Sequence, residues 1–206
     1  MIDAVIDISH FNGSPDWASV KAAGILGVIH KATQGTTSVD STFTAASTAV
    51  PAAGLLWGAY HFGTGDAEGS AQAQFFLDTV KPDAQTLCVI DFEPNPSGTT
   101  MSLDHLFGWV ESVQKATGRA PMVYGGKSLL FPSIGSATHP TLAACPLWVA
   151  QYTTAATPTG IPAQVWKSWS LWQYSESGTV DGVTGNVDHS RFNGTSEELS
   201  TMWGAG

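Results

Sequence analysis

The chain has 206 residues, 43% of them hydrophobic and only 12% charged, enough apolar content for one large core and too much for a disordered segment. Seventeen acidic side chains against eight basic ones leave a net charge of −9, which argues against nucleic acid and against an anionic membrane as partners. The two cysteines, Cys88 and Cys145, sit in or beside apolar strand-like runs and read as free, buried thiols rather than a disulfide framework.

Taken in order, the first strand is expected over Ala4–Ile8, ending in Asp7-Ile8-Ser9-His10. The chain enters it directly from Met1-Ile2-Asp3, with no secretory signal and no apolar run long enough to span a membrane. Pro15-Asp16-Trp17 opens a helix to about Ala23, with the proline in a favoured early position. A second strand, Gly27–Lys31, is followed by a helix from about Ser41 to Ala53, stopped by Gly54. Leu55–Phe62 is the third strand, and Asp66–Val80 the third helix, with Ala67, Ala71 and Phe75 at helical spacing.

The fourth strand carries the strongest chemical signal. Leu87-Cys88-Val89-Ile90 is a short apolar run, as in a strand buried on both faces, and it ends in Asp91-Phe92-Glu93. Side chains alternate along a strand, so Asp91 and Glu93 point the same way. Like charges held together raise one pKa, which suits a general acid working near neutral pH. The structural alternative is a strand-end Asp capping the next helix, with Glu93 simply solvated.

Beyond a breaker cluster at 94–98, Ser102–Thr117 reads as an amphipathic helix with Leu103, Leu106, Phe107, Val110 and Val113 on one side, stopped by Gly118. Shorter elements follow: a strand at Pro121–Tyr124, a helical turn at Ser128–Phe131, and strands at Leu147–Ala150, Ser170–Tyr174 and Gly185–Asp188. The stretch from Thr153 to Gln164 is a loop within the domain. No internal repeat is evident, and the whole chain is expected to form one domain with its core at about 4–193 and no separate wall-binding module after residue 194.

Eight strands, with good helices after the first four, predict an α/β fold: a TIM-like barrel, mainly parallel, that gives way to hairpins near its end. Chemistry in such barrels collects where strands end. Asp7 ends the first strand, Asp91 and Glu93 the fourth, and Asp188 the eighth; closure makes the first and last strands neighbours and brings all four acids to one mouth.

Several segments, read with these acids, resemble the glycoside hydrolase family 25 lysozymes, which are muramidases. They are Val5-Ile6-Asp7-Ile8-Ser9 with Gly13, Lys31-Ala32-Thr33-Gln34-Gly35, Gly58-Ala59-Tyr60-His61-Phe62, Asp91-Phe92-Glu93, Leu147-Trp148-Val149-Ala150-Gln151-Tyr152, Leu171-Trp172-Gln173-Tyr174 and Asn186-Val187-Asp188. The resemblance implies a (β/α)5(β)3 barrel that cuts the β-1,4 bond between N-acetylmuramic acid and N-acetylglucosamine in bacterial peptidoglycan. It also implies roles. Glu93 would be the general acid, Asp91 would raise its pKa and orient the sugar's 2-acetamido group, and Asp7 and Asp188 would complete an acidic floor. The chain departs from the family in having Gln34 where an acid is common and Gln151 where Arg is common.

Supporting residues can be named with their plainer alternatives. Tyr60, Tyr124, Trp148 and Trp172 offer aromatic faces or phenols to a sugar, or are core and rim packing. Lys31 meets an acid or the lactyl carboxylate of muramic acid, or forms a structural ion pair; Gln151 is the remaining substrate-binding candidate. His10, His61 and His189 follow strand ends, so a metal-dependent barrel hydrolase such as a deacetylase is a rival, weakened by the lack of His-x-His or His-x3-His pairs. No metal and no cofactor are expected. A family 18 chitinase also ends its fourth strand in Asp-x-Glu but extends the motif backward with acids, where this chain has Val89 and Thr86. A non-catalytic sugar-binding barrel would lose an acid, and this chain keeps all four. The expectation is a monomer acting on peptidoglycan glycan strands outside the cytoplasm, with the export route open.

Overall fold

A computed structural model describes residues 1–204. Nine strands form one sheet: β1 (Ile2–Ile8), β2 (Gly27–Gln34), β3 (Ser38–Val39), β4 (Leu56–Phe62), β5 (Leu87–Asp91), β6 (Met122–Gly126), β7 (Leu147–Ala150), β8 (Leu171–Gly178) and β9 (Val187–Phe192). Eight of them close into a ring in the order β1-β2-β4-β5-β6-β7-β8-β9, while the two-residue β3 pairs outside it with the end of β2. The pairings from β1 through β8 around the ring are parallel, and β9 runs antiparallel to both of its neighbours. The expected α/β barrel with a hairpin at its end is therefore present.

The helices are α1 (Trp17–Ala22), α2 (Phe43–Ala52), α3 (Gly69–Val80), α4 (Leu103–Thr117), α5 (Leu130–Ile134), α6 (Pro140–Ala143) and α7 (Ser196–Trp203). Local chemistry explains most of their ends. The Asp16 carboxylate accepts from the amides of Ala18 and Ser19, so Asp16 caps α1 and Pro15 lies outside the helix rather than in its first turn. The Ser102 hydroxyl accepts from the His105 amide at the start of α4. Helix α3 starts later than the spacing suggested, at Gly69, where it lies against α4 so closely that a Cβ would sit 1.7 Å from the His105 carbonyl oxygen. Any side chain there would force the two helices apart.

Alternation along the strands sorts the apolar residues into two cores. Val5, Ile29, Leu87, Val89, Met122, Tyr124, Trp148 and Leu171 fill the barrel. Ile6, Ile8, Val28, Ala59, Cys88, Ile90, Phe92, Val123, Val149 and Trp172 face outward, beneath the helices. Both cysteines are free and buried, as expected. Four elements lie outside the sequence expectation: a single 3-10 turn at His10–Asn12, β3, α6 and α7. The last extends the core past residue 193, because Leu199 and Trp203 pack into the interior cluster and seal the barrel floor. Among the described residues no helix is long and apolar enough to cross a membrane.

Candidate active site

The mouth of the barrel opposite α7 holds a cavity of about 340 Å³ lined by Asp7, Tyr60, Asp91, Glu93, Tyr124, Trp148, Tyr152, Gln173, Glu176 and Asp188. All four acids singled out in the sequence are in that lining. Register explains why. Asp7 stands directly opposite Asp188 on the β1–β9 ladder, and Asp91 is opposite Phe62 on one side and Tyr124 on the other. Asp188 is not at the end of its strand but second in it; because β9 runs antiparallel, its beginning lies at the mouth where the parallel strands finish. Glu93 lies two residues past Asp91, beyond the end of β5.

Burial and crowding raise the pKa of all four acids. Asp7 is raised well above the usual carboxyl range, first by loss of solvent and then by the Asp188 charge. Asp188, facing it across the ladder, is raised as well, by burial first, with the Glu176 charge adding to the rise. Gln173 completes this arrangement by donating from Nε2 to Asp7 Oδ2 at 2.9 Å, while its own Oε1 accepts from the Tyr124 and Tyr152 hydroxyls at 2.7 and 2.8 Å. Asp91 is likewise raised well above its ordinary value by burial and by Glu93, with the Lys31 charge opposing. Its Oδ1 atom is buried without a hydrogen-bond partner. Glu93 is raised by burial, then by the charges of Asp188 and Glu176.

These shifts have a consequence for stability. An acid whose folded pKa lies above its unfolded one stabilises fully below the unfolded value, and that stabilisation fades as pH rises toward the folded value. Asp7→Asn imitates the protonated state, with an amide to donate to Asp188 and a carbonyl to accept from Gln173. The variant is expected to melt above wild type at pH 7 by about 2–4 °C per kcal/mol recovered, with the gap closing near pH 4. Thermal melts across pH 3–8 test this; a gap that does not depend on pH would contradict the raised pKa of Asp7.

Other candidates fall differently. Tyr60, Tyr124 and Trp148 line the cavity; Trp148 is buried, with its indole N–H on Ser190 Oγ at 2.9 Å and its ring edge-on to Tyr124. Trp172 is not in the site. It is 1% exposed, packs in the outer core, and donates its indole N–H to the Gln151 carbonyl at 2.7 Å. Gln151 also turns away, its side chain spent on the Thr159 backbone, where Oε1 accepts from the amide at 2.7 Å and Nε2 faces the carbonyl at 3.5 Å. Lys31 lies within β2 rather than at its end, donates to Gln34 Oε1 at 2.8 Å, and reaches Asp91 through its charge without lining the cavity.

The histidines do not gather at the mouth. His10 binds Asp40 at 2.8 Å, His61 is buried between Thr33 and Gln72, and His189 faces Asp3. Among the described residues no three His, Cys, Asp or Glu side chains are grouped to hold a metal ion.

Three lining residues escaped the sequence reading: Tyr152, Gln173 and Glu176. Alternation could have found two of them. If Trp148 faces inward, so do Ala150 and Tyr152, and Gln151 cannot. If Leu171 faces inward, so does Gln173, and Trp172 cannot. Glu176 follows one register shift in β8, between Gln173 and Ser175, and lies inside a second, between Ser175 and Gly178, which together erase that signal.

Comparison with known proteins agrees with this architecture. The family model described as Glycosyl hydrolases family 25 matches residues 6–183. Lysozyme M1 of Streptomyces globisporus is 37% identical over 211 aligned positions, covering 96% of this chain and 70% of that protein. The N,O-diacetylmuramidase of a Chalaropsis species is 29% identical, covering 89% of this chain and 94% of that protein. The crystal structure of the bacterial lysozyme from Streptomyces coelicolor superposes with a TM-score of 0.90 at 34% identity, covering 100% of this chain and 99% of that one. The barrel, its ring of mouth acids and this match over nearly the whole chain lead to one conclusion: the chain belongs to glycosyl hydrolases family 25.

Proposed function

We propose that this barrel is a peptidoglycan muramidase, hydrolysing the β-1,4 bond between N-acetylmuramic acid and N-acetylglucosamine with Glu93 as proton donor. The observation that carries the reading is the meeting of Asp7, Asp91, Glu93 and Asp188 around one cavity, where burial and mutual repulsion raise their pKa values.

Each group then has a distinct task. Glu93 passes its proton to the glycosidic oxygen as that oxygen leaves. Asp91 Oδ1, buried and lacking a partner, accepts from the N–H of the 2-acetamido group and turns the acetamido carbonyl oxygen toward the anomeric carbon. That oxygen forms the new bond to the anomeric carbon from the face opposite the leaving group. Water then attacks the same carbon from the vacated face, giving its proton to the Glu93 carboxylate and releasing the acetamido oxygen. Two inversions retain the β configuration. Asp7 and Asp188, facing each other at the mouth, complete the acidic floor that stabilises positive charge developing at the anomeric carbon.

Tyr60, Tyr124, Trp148 and Tyr152 supply faces and hydroxyls to the sugar rings, while Lys31 acts at a distance by opposing the rise in the Asp91 pKa. Every proton in this scheme is carried by a carboxyl group. The reading sets the protein to work as a monomer on the cell wall, outside the cytoplasm.

Digestion of purified peptidoglycan tests both parts. Mass spectrometry of the fragments is expected to find muramic acid at the new reducing ends, and nuclear magnetic resonance to find the β anomer first. N-acetylglucosamine at those ends would make the protein a glucosaminidase instead, and an initial α anomer would rule out the retaining route.

A further inference from the structure

Two large aromatic side chains stand out among the described residues for being left in water: Phe11 at 85% and Tyr152 at 51% exposure. A lone exposed apolar side chain is ordinary. These two, however, flank the same acids. Tyr152 lines the catalytic cavity, and Phe11 lines a second cavity of about 180 Å³ that shares Asp7, Tyr60 and Asp188 with the first.

Phe11 is exposed without being loose. It sits in a single 3-10 turn, His10–Asn12, directly after β1, closed by a capping box between Ser9 and Asn12. The turn is tied down at both ends. The His10 amide and ring both bond Asp40 Oδ2, at 3.0 and 2.8 Å, and Asn12 Nδ2 donates to the Asn186 carbonyl at 2.9 Å, just before β9. Asp40 is in turn held by the Thr42 amide and hydroxyl at 3.0 and 2.8 Å. Five hydrogen bonds thus fix a turn whose central side chain buries almost nothing within the protein. Folding alone gives no reason to present a phenyl ring this way, because turning it inward would remove apolar surface from water.

We propose that Phe11 is the stacking platform of a further sugar subsite, which receives a ring of the glycan strand beyond the pair that flanks the cleaved bond. A flat apolar ring beside hydroxyl and amide groups suits the mixed surface of a pyranose; Ser9 and Asn186 supply those groups in the second cavity. The glycan then crosses the acids between two aromatic faces, Phe11 on the Asp7–Asp188 side and Tyr152 on the other. This rests on the muramidase reading, and it makes the enzyme sensitive to chain length.

The test is a set of peptidoglycan-derived glycan oligomers of increasing length, assayed with wild type, Phe11→Ala and Phe11→Trp. Wild type is expected to show a step up in kcat/KM once the oligomer is long enough to reach Phe11. Phe11→Ala should lose that step, on the order of 3–10-fold and mainly in KM, while cleaving the shortest substrate as fast as wild type and melting at the same temperature. Phe11→Trp should restore it. A Phe11→Ala variant that keeps the step, or that loses equally on every length, overturns the subsite. Failure of wild type to cut any oligomer would instead count against the muramidase reading.

Discussion

Glu93→Gln is expected to lower kcat on peptidoglycan by about 10²–10⁴-fold, the usual contribution of a positioned general acid, with KM changed far less. The substitution is nearly isosteric and removes the ability to give up a proton. It also removes a carboxylate that burial and the charges of Asp188 and Glu176 disfavour. The variant should therefore melt no lower than wild type at pH 7, which separates lost chemistry from lost structure. Turbidity clearance of cell walls, read beside a thermal melt, suffices. A variant that clears the wall at the wild-type rate would show that another group donates the proton. The same experiment addresses the sugar-binding alternative, since a barrel that only binds has no turnover to lose.

The largest effect on stability is expected at the opposite end of the barrel. Trp203→Ala should cost about 3–5 kcal/mol, as for other buried aromatic truncations, or about 6–20 °C in melting temperature for a chain of this size. Trp203 is fully buried in the barrel floor with Leu199, Val5, Ile29 and Leu87. The ring packs so closely on Gly27 that a Cβ there would lie 2.9 Å from it, and the indole N–H donates to the Trp57 carbonyl at 2.7 Å. Removing the indole leaves both a cavity and an unpaired carbonyl.

Helix α7 is anchored independently of this residue. Thr195 and Glu198 form its capping box, and the Arg119 guanidinium reaches the carbonyls of Met202 and Trp203 at 3.0 and 3.3 Å. The loss should therefore read as reduced stability with the site intact: a lower urea midpoint, an unchanged slope, and near wild-type kcat below the melting range. A cost under about 1 kcal/mol would mean that the floor closes without the ring.

How much was legible in advance follows from how local each signal is. The Asp91-Phe92-Glu93 stretch was readable because strand alternation is a property of the backbone itself; a run of four apolar residues followed by two acids two apart leaves few options. Strand ends at Asp7 and Asp91, with good helices between the early strands, are enough for a barrel with acids at its mouth, although Asp188 stands near the start of its strand rather than at the end. The family segments then ordered those pieces along the chain.

Errors arose where a side chain had two local options and a distant partner chose between them. Trp172 and Gln173 are neighbours on β8, and alternation allows one of them inside; the inner place went to Gln173, which ties Asp7 to Tyr124 and Tyr152, and the larger ring packs beneath the outer layer. Gln151 lost its place to Tyr152 by the same rule. Lys31 looks like a strand end in the sequence because β3, a two-residue strand that pairs with the end of β2, leaves almost no pattern of its own.

Sequence by itself thus determined the apolar periods, the strand-end acids and, through them, the closed barrel and its chemistry, since these depend on residues within a few positions of one another. Tertiary structure alone decided that β9 returns antiparallel with Asp188 facing Asp7, that a carboxyl oxygen of Asp91 stays buried without a partner, and that α7 seals the floor. The first and last of these rest on contacts between residues more than a hundred positions apart, such as the indole of Trp203 on the carbonyl of Trp57, where no periodicity in the chain records which partner will be met.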